Sequence, residues 1–254
     1  MPWDIWLAFQ WPYQSSARQH ALQPSGYIPT EALKSASGPN GSKGGSKREL
    51  TPIDLKTPLS REDVEPLRVG DIVTFTGHLF TCRSQFHIHF IEGGNIPPFD
   101  SKRYNVMIHS GPIMEKVGGG WRVRAMSMTT SIRFNKWEPE AIRRLGLRAI
   151  IGKGKVGEET REALRRYGCI HLVRAGVFAG AYSTMVESIE EVHWLELGLP
   201  EAAWILRVRD FGPLVVGADT KGNSHFDEIN RHIDSRVTEI YRKLGIEGLE
   251  FAEK

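Results

Sequence analysis

The chain has 254 residues, 40% hydrophobic and 25% charged, with a formal net charge of +3 from 33 basic and 30 acidic side chains. That length supports one large domain or two small ones around a real core, and the composition is ordinary for a soluble globular protein. The weak basic excess falls well short of a dedicated nucleic-acid binder, and the two cysteines cannot build a disulfide scaffold or ligate an iron–sulfur cluster unaided.

No apolar run approaches the length of a bilayer span, so no membrane segment is expected, and the sparse cysteines predict a reducing, cytoplasmic setting. The opening MPWDIWLAFQWPYQSS is rich in tryptophan, with Asp4 early and no positive start, and reads as an extension rather than a signal peptide. From Ser35 to Ser46, SASGPNGSKGGS cannot bury enough apolar surface to order itself. Residues 1–50 are therefore expected to form an extension and flexible linker, and residues 51–254 the folded domain.

In LRVGDIVTFTGHLFTCRSQFHIHF, Ile72, Thr74 and Thr76 alternate with Val73 and Phe75, which predicts a strand-rich opening. His87 and His89 are expected on one face of a strand. YNVMIHSGP predicts a short strand ending at a Gly-Pro turn, and GGGWRVRAMSMTT a glycine turn followed by a strand from Trp121 to Met126. The pattern then changes. EPEAIRRLG predicts a short helix, LRAIIGKG a buried strand, GEETREALRRYG a helix ended by Gly168, and CIHLVRAG a strand. Glu158 and Glu159 in the first turn of that second helix, and Arg165 and Arg166 in its last, suit the helix dipole. Alternation of helix and strand predicts an α/β fold with parallel pairing. Further strands are expected near EEVHWLEL and WILRVRDFGPLVVGAD. A final helix from Phe226 to Leu244 carries Ile229, Ile233, Val237, Ile240 and Leu244 on one face.

Loops at strand ends are where a scaffold presents its chemistry. Three of them carry suitable groups: Arg83 to His87, Thr129 to Arg133, and Lys153. Two arginines and a lysine on separate loops can converge on a small anion, since the guanidinium fork matches a carboxylate with two parallel hydrogen bonds. A dicarboxylate needs such groups at both ends, and Thr129 can place a hydroxyl beside the carbon between them. Plainer roles fit the same residues: solvated surface for the cations, and strand propensity or a helix cap for Thr129-Thr130-Ser131. GKGKVGEET lacks the order of a phosphate-cradling loop. His78, His87, His89 and His109 are the candidates for a metal site. RRLGLRAIIGKGK is cationic but lacks the interleaved aromatics of a single-strand RNA binder. The residues alone lead as far as an anion site.

Between about Asp63 and Asn223 a longer pattern runs in order: RVGD, Thr76-Gly77, RSQFH, PPFD followed by MIHSGP, MTTSIR, IIGKG, VHWLELGLPEAAW and DFGPLVVGADTKGN. This succession resembles the β subunit, or C-terminal domain, of the iron–sulfur hydro-lyases, the class I fumarases and L(+)-tartrate dehydratases. The resemblance implies a swivelling β/β/α domain that covers an active site held by a partner α subunit. It implies a [4Fe–4S] cluster bound by that partner and not by this chain, and an α2β2 assembly. The implied reaction is reversible hydration of a C4 dicarboxylate, fumarate to malate first and L-tartrate dehydration as the alternative. By motif position, Arg83, Arg133 and Lys153, with Thr130, are expected to grip substrate carboxylates. Thr129 is expected to take part in proton transfer, and His87 to orient Arg83 or the substrate. The chain departs from the pattern at Ser84, where the family has an acidic residue, and at Ser127-Met128, where it has Gly-Pro. A non-catalytic anion-binding or regulatory protein on the same fold, and a metal enzyme built on the histidines, are the alternatives of other classes.

Overall fold

The alternation at Ile72–Phe75 belongs to a strand of eleven residues in the computed structural model, which describes residues 51–174 and 179–245. The expected extension and the linker at Ser35–Ser46 lie outside the described residues. In chain order the strands are β1 (Ile53–Lys56), β2 (Ile72–Cys82), β3 (Val106–His109), β4 (Ile113–Val117), β5 (Gly120–Ala125), β6 (Ala149–Gly152), β7 (Ile170–Arg174), β8 (Val186–His193) and β9 (Ala203–Ala218). The predicted parallel pairing is present: β1, β2, β3, β6 and β7 are successive parallel neighbours. Strand β9 then runs antiparallel to β7 and also to β2, so β2-β3-β6-β7-β9 closes on itself into a barrel-like core. Strand β8 extends the sheet from β9, and β4 and β5 form a separate hairpin.

Alternate side chains along these strands serve two apolar layers, as a pleated strand requires. Val106, Ile108, Ala149 and Ile151 join one cluster with Val73, Phe75, Leu172, Val208 and Val216. Met107 and Ile150 face the other way and pack with Phe80 and Ile205 against two helices. Those helices are the two that the sequence predicts, Glu138–Leu145 and Glu158–Tyr167, and they contribute Ala141, Ile142, Leu145, Ala163 and Leu164. The second ends at Gly168, as expected.

Two expectations need correction or extension. The RSQFHIHF segment is not a strand: Ser84–His87 is an α-helical turn and Ile88–Glu92 a π-helical one. Phe86 and Phe90, four residues apart and both buried, impose helical spacing where the histidines suggest period two. His87 and His89 therefore do not share a strand face. The last helix, His225–Leu244, forms as expected, with the Ser224 hydroxyl accepting from the Asp227 N–H at 3.3 Å. Its apolar stripe is exposed from 42% at Ile229 to 64% at Leu244, save half-buried Val237, and no residue of the helix is buried by the described residues. Among the described residues no helix is long and apolar enough to cross a membrane.

Candidate functional site

Parallel neighbours in register end together. Cys82 pairs with His109, Ile108 with Ile151 and Gly152 with Val173, so β2, β3, β6 and β7 finish at one end of the sheet. Open and closed parallel sheets present ligands at the carboxyl ends of their strands. Here Arg83 follows β2, Ser110 follows β3, Lys153 follows β6, and Arg174 closes β7. The segment from Thr129 to Arg133 is laid across this end by backbone bonds. The Thr129 N–H donates to the His109 carbonyl at 2.6 Å, the Lys153 N–H donates to the Thr129 carbonyl at 3.2 Å, and the Ser131 N–H donates to the Lys153 carbonyl at 3.0 Å. Thr130 and Lys153 thereby form an isolated parallel bridge. Arg133 sits in the 3-10 turn Ser131–Phe134 that follows.

Arg83 is 31% exposed and lies across Gly111, where a Cβ would stand 2.7 Å from its Cδ and 2.8 Å from Nη1. Only glycine tolerates that approach. Its Nη1 lies 3.5 Å from Oε1 of Glu201, whose other oxygen accepts the Gln85 N–H at 2.8 Å. Arg133 and Lys153 are exposed, and among the described residues no ion pair or hydrogen bond holds either charged group. Thr129 and Thr130 are half-buried. Thr130 occupies the N-cap of the 3-10 turn without a side-chain bond, so the helix-cap role open to these residues is not the one they take. The departure at Ser127-Met128 has its own support. The Ser110 hydroxyl donates to the Ser127 carbonyl at 2.9 Å, Arg174 Nη1 donates to the Ser127 hydroxyl at 3.2 Å, and Met128 is buried.

Beneath this surface lies a buried polar layer. Ser131 Oγ stands 3.2 Å from His109 Nδ1 and 2.9 Å from His171 Nε2. His109 Nε2 is in turn 3.2 Å from Glu138 Oε1, a contact whose angles fall short of a hydrogen bond. His87 stacks on Trp137 with centroids 5.5 Å apart and planes 3° from parallel, and neither of its ring nitrogens has a partner among the described residues. His87, His109, Ser131 and Glu138 are all fully buried. Burial lowers the His87 and His171 rings to about 3. It lowers His109 too, with added repulsion from His87 and His171. Burial raises the Glu138 carboxyl to about 8 against a smaller opposing effect of Thr160. The layer is therefore neutral near pH 7.

The fold thus gathers Thr129, Thr130, Arg133 and Lys153 on two bridged segments and sets Arg83 at the end of the neighbouring strand pair. His87 is not at this surface: it faces Phe134 and Trp137 in the interior. Sequence reasoning assigned no functional role to Glu201, Ser131 (beyond strand propensity or a cap), Glu138 or His171. Each sits inside a motif that is visible in the chain, respectively LGLPEAAW, MTTSIR, EPEAIRRLG and CIHLV. No group of three or more His, Cys, Asp or Glu among the described residues is arranged to hold a metal ion.

A family model described as Fumarase C-terminus matches residues 24–229. The L(+)-tartrate dehydratase subunit beta of Escherichia coli (strain K12) is 41% identical over 190 residues, covering 75% of this chain and 94% of that protein. A putative L(+)-tartrate dehydratase subunit beta from Methanocaldococcus jannaschii is 37% identical over 186 residues, 72% of this chain and 95% of that one. A putative fumarate hydratase class I from Geobacillus stearothermophilus is 37% identical over 180 residues, which are 70% of this chain but only 34% of that longer protein.

Proposed function

The chain belongs to the Fumarase C-terminus family, and from that membership we propose that it is the β subunit of a two-chain hydro-lyase. In this reading it adds or removes water on a C4 dicarboxylate, fumarate to malate, in company with an α subunit in an α2β2 assembly. The names of relatives support the two-chain arrangement: the chain matches nearly all of two proteins named as β subunits.

One observation carries the proposal. Two cations without partners among the described residues, Arg133 and Lys153, flank a threonine pair pinned at the carboxyl ends of β3 and β6. Exposed cations with no local counter-ion are suited to receive carboxylates, and Arg83, steadied by Glu201, supplies a third. Gripping both ends of a diacid fixes the carbons between them against Thr129, whose backbone N–H and carbonyl are both bonded. A threonine hydroxyl holds its proton tightly at neutral pH, so a role in proton transfer depends on the cations around it. Closure as a swivelling cover over the partner's site would exclude water and strengthen these ionic contacts.

The cluster that the family implies does not fit this chain. Cys82 and Cys169 are its only cysteines, both are buried, and burial raises both thiols away from the thiolate form that binds iron. In this reading the [4Fe–4S] group belongs to the α subunit. L-tartrate dehydration is the second substrate assignment, favoured by the names of the 41% and 37% identical relatives. The test is copurification with a cluster-bearing α subunit, followed by parallel assays on fumarate and L-tartrate. Turnover of either substrate only by the pair supports the proposal and chooses the substrate. Turnover by the isolated chain defeats the two-chain arrangement, and a cluster-loaded pair that turns over neither defeats the hydro-lyase reading in favour of a non-catalytic anion binder.

A further inference from the structure

Ser131 sits where three strands meet the segment laid across their ends. Its hydroxyl bridges His109, the last residue of β3, and His171, the second residue of β7. Between those strands runs β6, and the hydroxyl passes over it at Gly152, where any Cβ would overlap Ser131 Oγ and stand 3.1 Å from His109 Nδ1. The glycine of IIGKG is therefore a clearance for this side chain. Two residues before Ser131 is Thr129, two residues after it is Arg133, and its own N–H is bonded to the Lys153 carbonyl.

The proton count in this cluster is informative. One hydroxyl carries one proton, so it can donate to only one of its two imidazole neighbours, and the other ring must donate to it. With the rings neutral, either His109 donates to Ser131 and Ser131 to His171, or both donations run the other way. Either way Ser131 Oγ joins both rings, and the Glu138 carboxyl lies 3.2 Å from His109 Nε2 without the angles of a hydrogen bond. A buried cluster that leaves both nitrogens of His87 and both oxygens of Glu138 short of partners is an expensive way to fill a core. An apolar residue at position 131 would add to that cost by leaving His109 Nδ1 and His171 Nε2 without this partner. What the hydroxyl adds is a fixed attachment for the segment above it.

We propose that Ser131, held between His109 and His171 over Gly152, is a positioning residue that sets Thr129 and Arg133 relative to Lys153. The consequence for turnover rests on the hydro-lyase reading above; the attachment itself does not. Ser131 touches no substrate in this scheme and acts through the segment it fixes, where a displacement of about 1 Å costs on the order of a hundredfold in rate.

Two measurements on Ser131→Ala test it. In the isolated chain, amide hydrogen exchange at Thr129, Ser131 and Arg133 should accelerate at least about tenfold while Ile150 and Ile151, in the core of β6, keep their protection. A side chain that only contributes to global stability would accelerate all of them together, and that result, or no change at residues 129–133, overturns the proposal. In the pair reconstituted with its α subunit, kcat should fall on the order of ten- to a hundredfold. Should Ser131→Ala not fold, His171→Gln and His171→Leu replace it. Glutamine can return a polar atom near the Nε2 position and leucine cannot, so the leucine variant alone should show fast exchange at residues 129–133. Equal exchange in the two variants refutes the attachment. Should the wild-type pair prove inactive, the hydro-lyase reading fails while the exchange data still decide the role of Ser131.

Discussion

Replacing His87 with phenylalanine removes two buried ring nitrogens that have no partner among the described residues while keeping an aromatic plane against Trp137. Two effects follow, and they separate by pH. The first is independent of pH. Relief of an unsatisfied buried polar group is worth about 1–3 kcal/mol, opposed by about 1–3 kcal/mol of strain from the bulkier ring, so its sign is open. The second comes from proton linkage. The His87 ring is lowered to about 3 in the folded chain from 6.5, so the unfolded chain binds the proton more readily. A group shifted in that direction costs no stability above 6.5, and its cost grows as pH falls toward 3. At pH 5 the deficit is about 1.5 pH units below the unfolded value, or about 2 kcal/mol. His109 and His171 remain in both proteins and largely cancel in the comparison. Urea unfolding followed by circular dichroism at pH 7.5 and pH 5.0 should therefore show the variant gaining about 2 kcal/mol on the wild type between the two conditions. A stability difference that stays constant across that interval would show that His87 is not held neutral by burial, and would remove the reasoning applied to the whole polar layer.

Glu138 gives the opposite limb. Its carboxyl is raised to about 8 from 4.5 by burial, so the folded chain holds that proton more tightly, and stability declines as pH climbs between those values. Between pH 4.5 and pH 7 that is about 3 kcal/mol, which Glu138→Gln should abolish in the same urea titration. Gly152→Ala should cost more than about 2 kcal/mol because its Cβ overlaps Ser131 Oγ, and an unchanged unfolding midpoint would contradict the clearance described there. Arg133→Ala and Lys153→Ala should leave thermal stability within about 0.5 kcal/mol, both side chains being exposed and unpaired among the described residues. In the reconstituted pair each should lose on the order of 3 kcal/mol of transition-state stabilisation, read from kcat/KM. Thr129→Val should keep dicarboxylate binding and lose turnover; full turnover would remove Thr129 from proton transfer.

Local order was legible wherever a periodic pattern and its punctuation agreed. The helices Glu138–Leu145 and Glu158–Tyr167 carry Pro139 near the start of one and Gly146 and Gly168 at their ends, and both follow the sequence reading. The segment RSQFHIHF was ambiguous for a physical reason. His87 and His89 suggest period two while Phe86 and Phe90 carry period four, and burial of the two phenylalanines decides in favour of the helix. Closure of the sheet was not legible, because pairing of β2 with β9 joins residues more than a hundred positions apart. The exposed part of the candidate site was visible as cations and hydroxyls at strand ends. Its buried part was hidden, since His171 within CIHLV is read as an apolar run, and only the fold brings it to Ser131.

Strand β9 bonds to β2, β7 and β8, and of the described strands it is the last to leave the ribosome. Until residues 203–218 are made, β2 and β7 must wait with bare edges turned toward each other, exposing hydrogen-bonding groups and apolar side chains that the finished ring conceals. Long-range closure of this kind favours slow maturation and sticky intermediates. A nascent chain stalled before position 203 should be captured by a chaperone and cut readily by protease, whereas one released past position 218 should resist both.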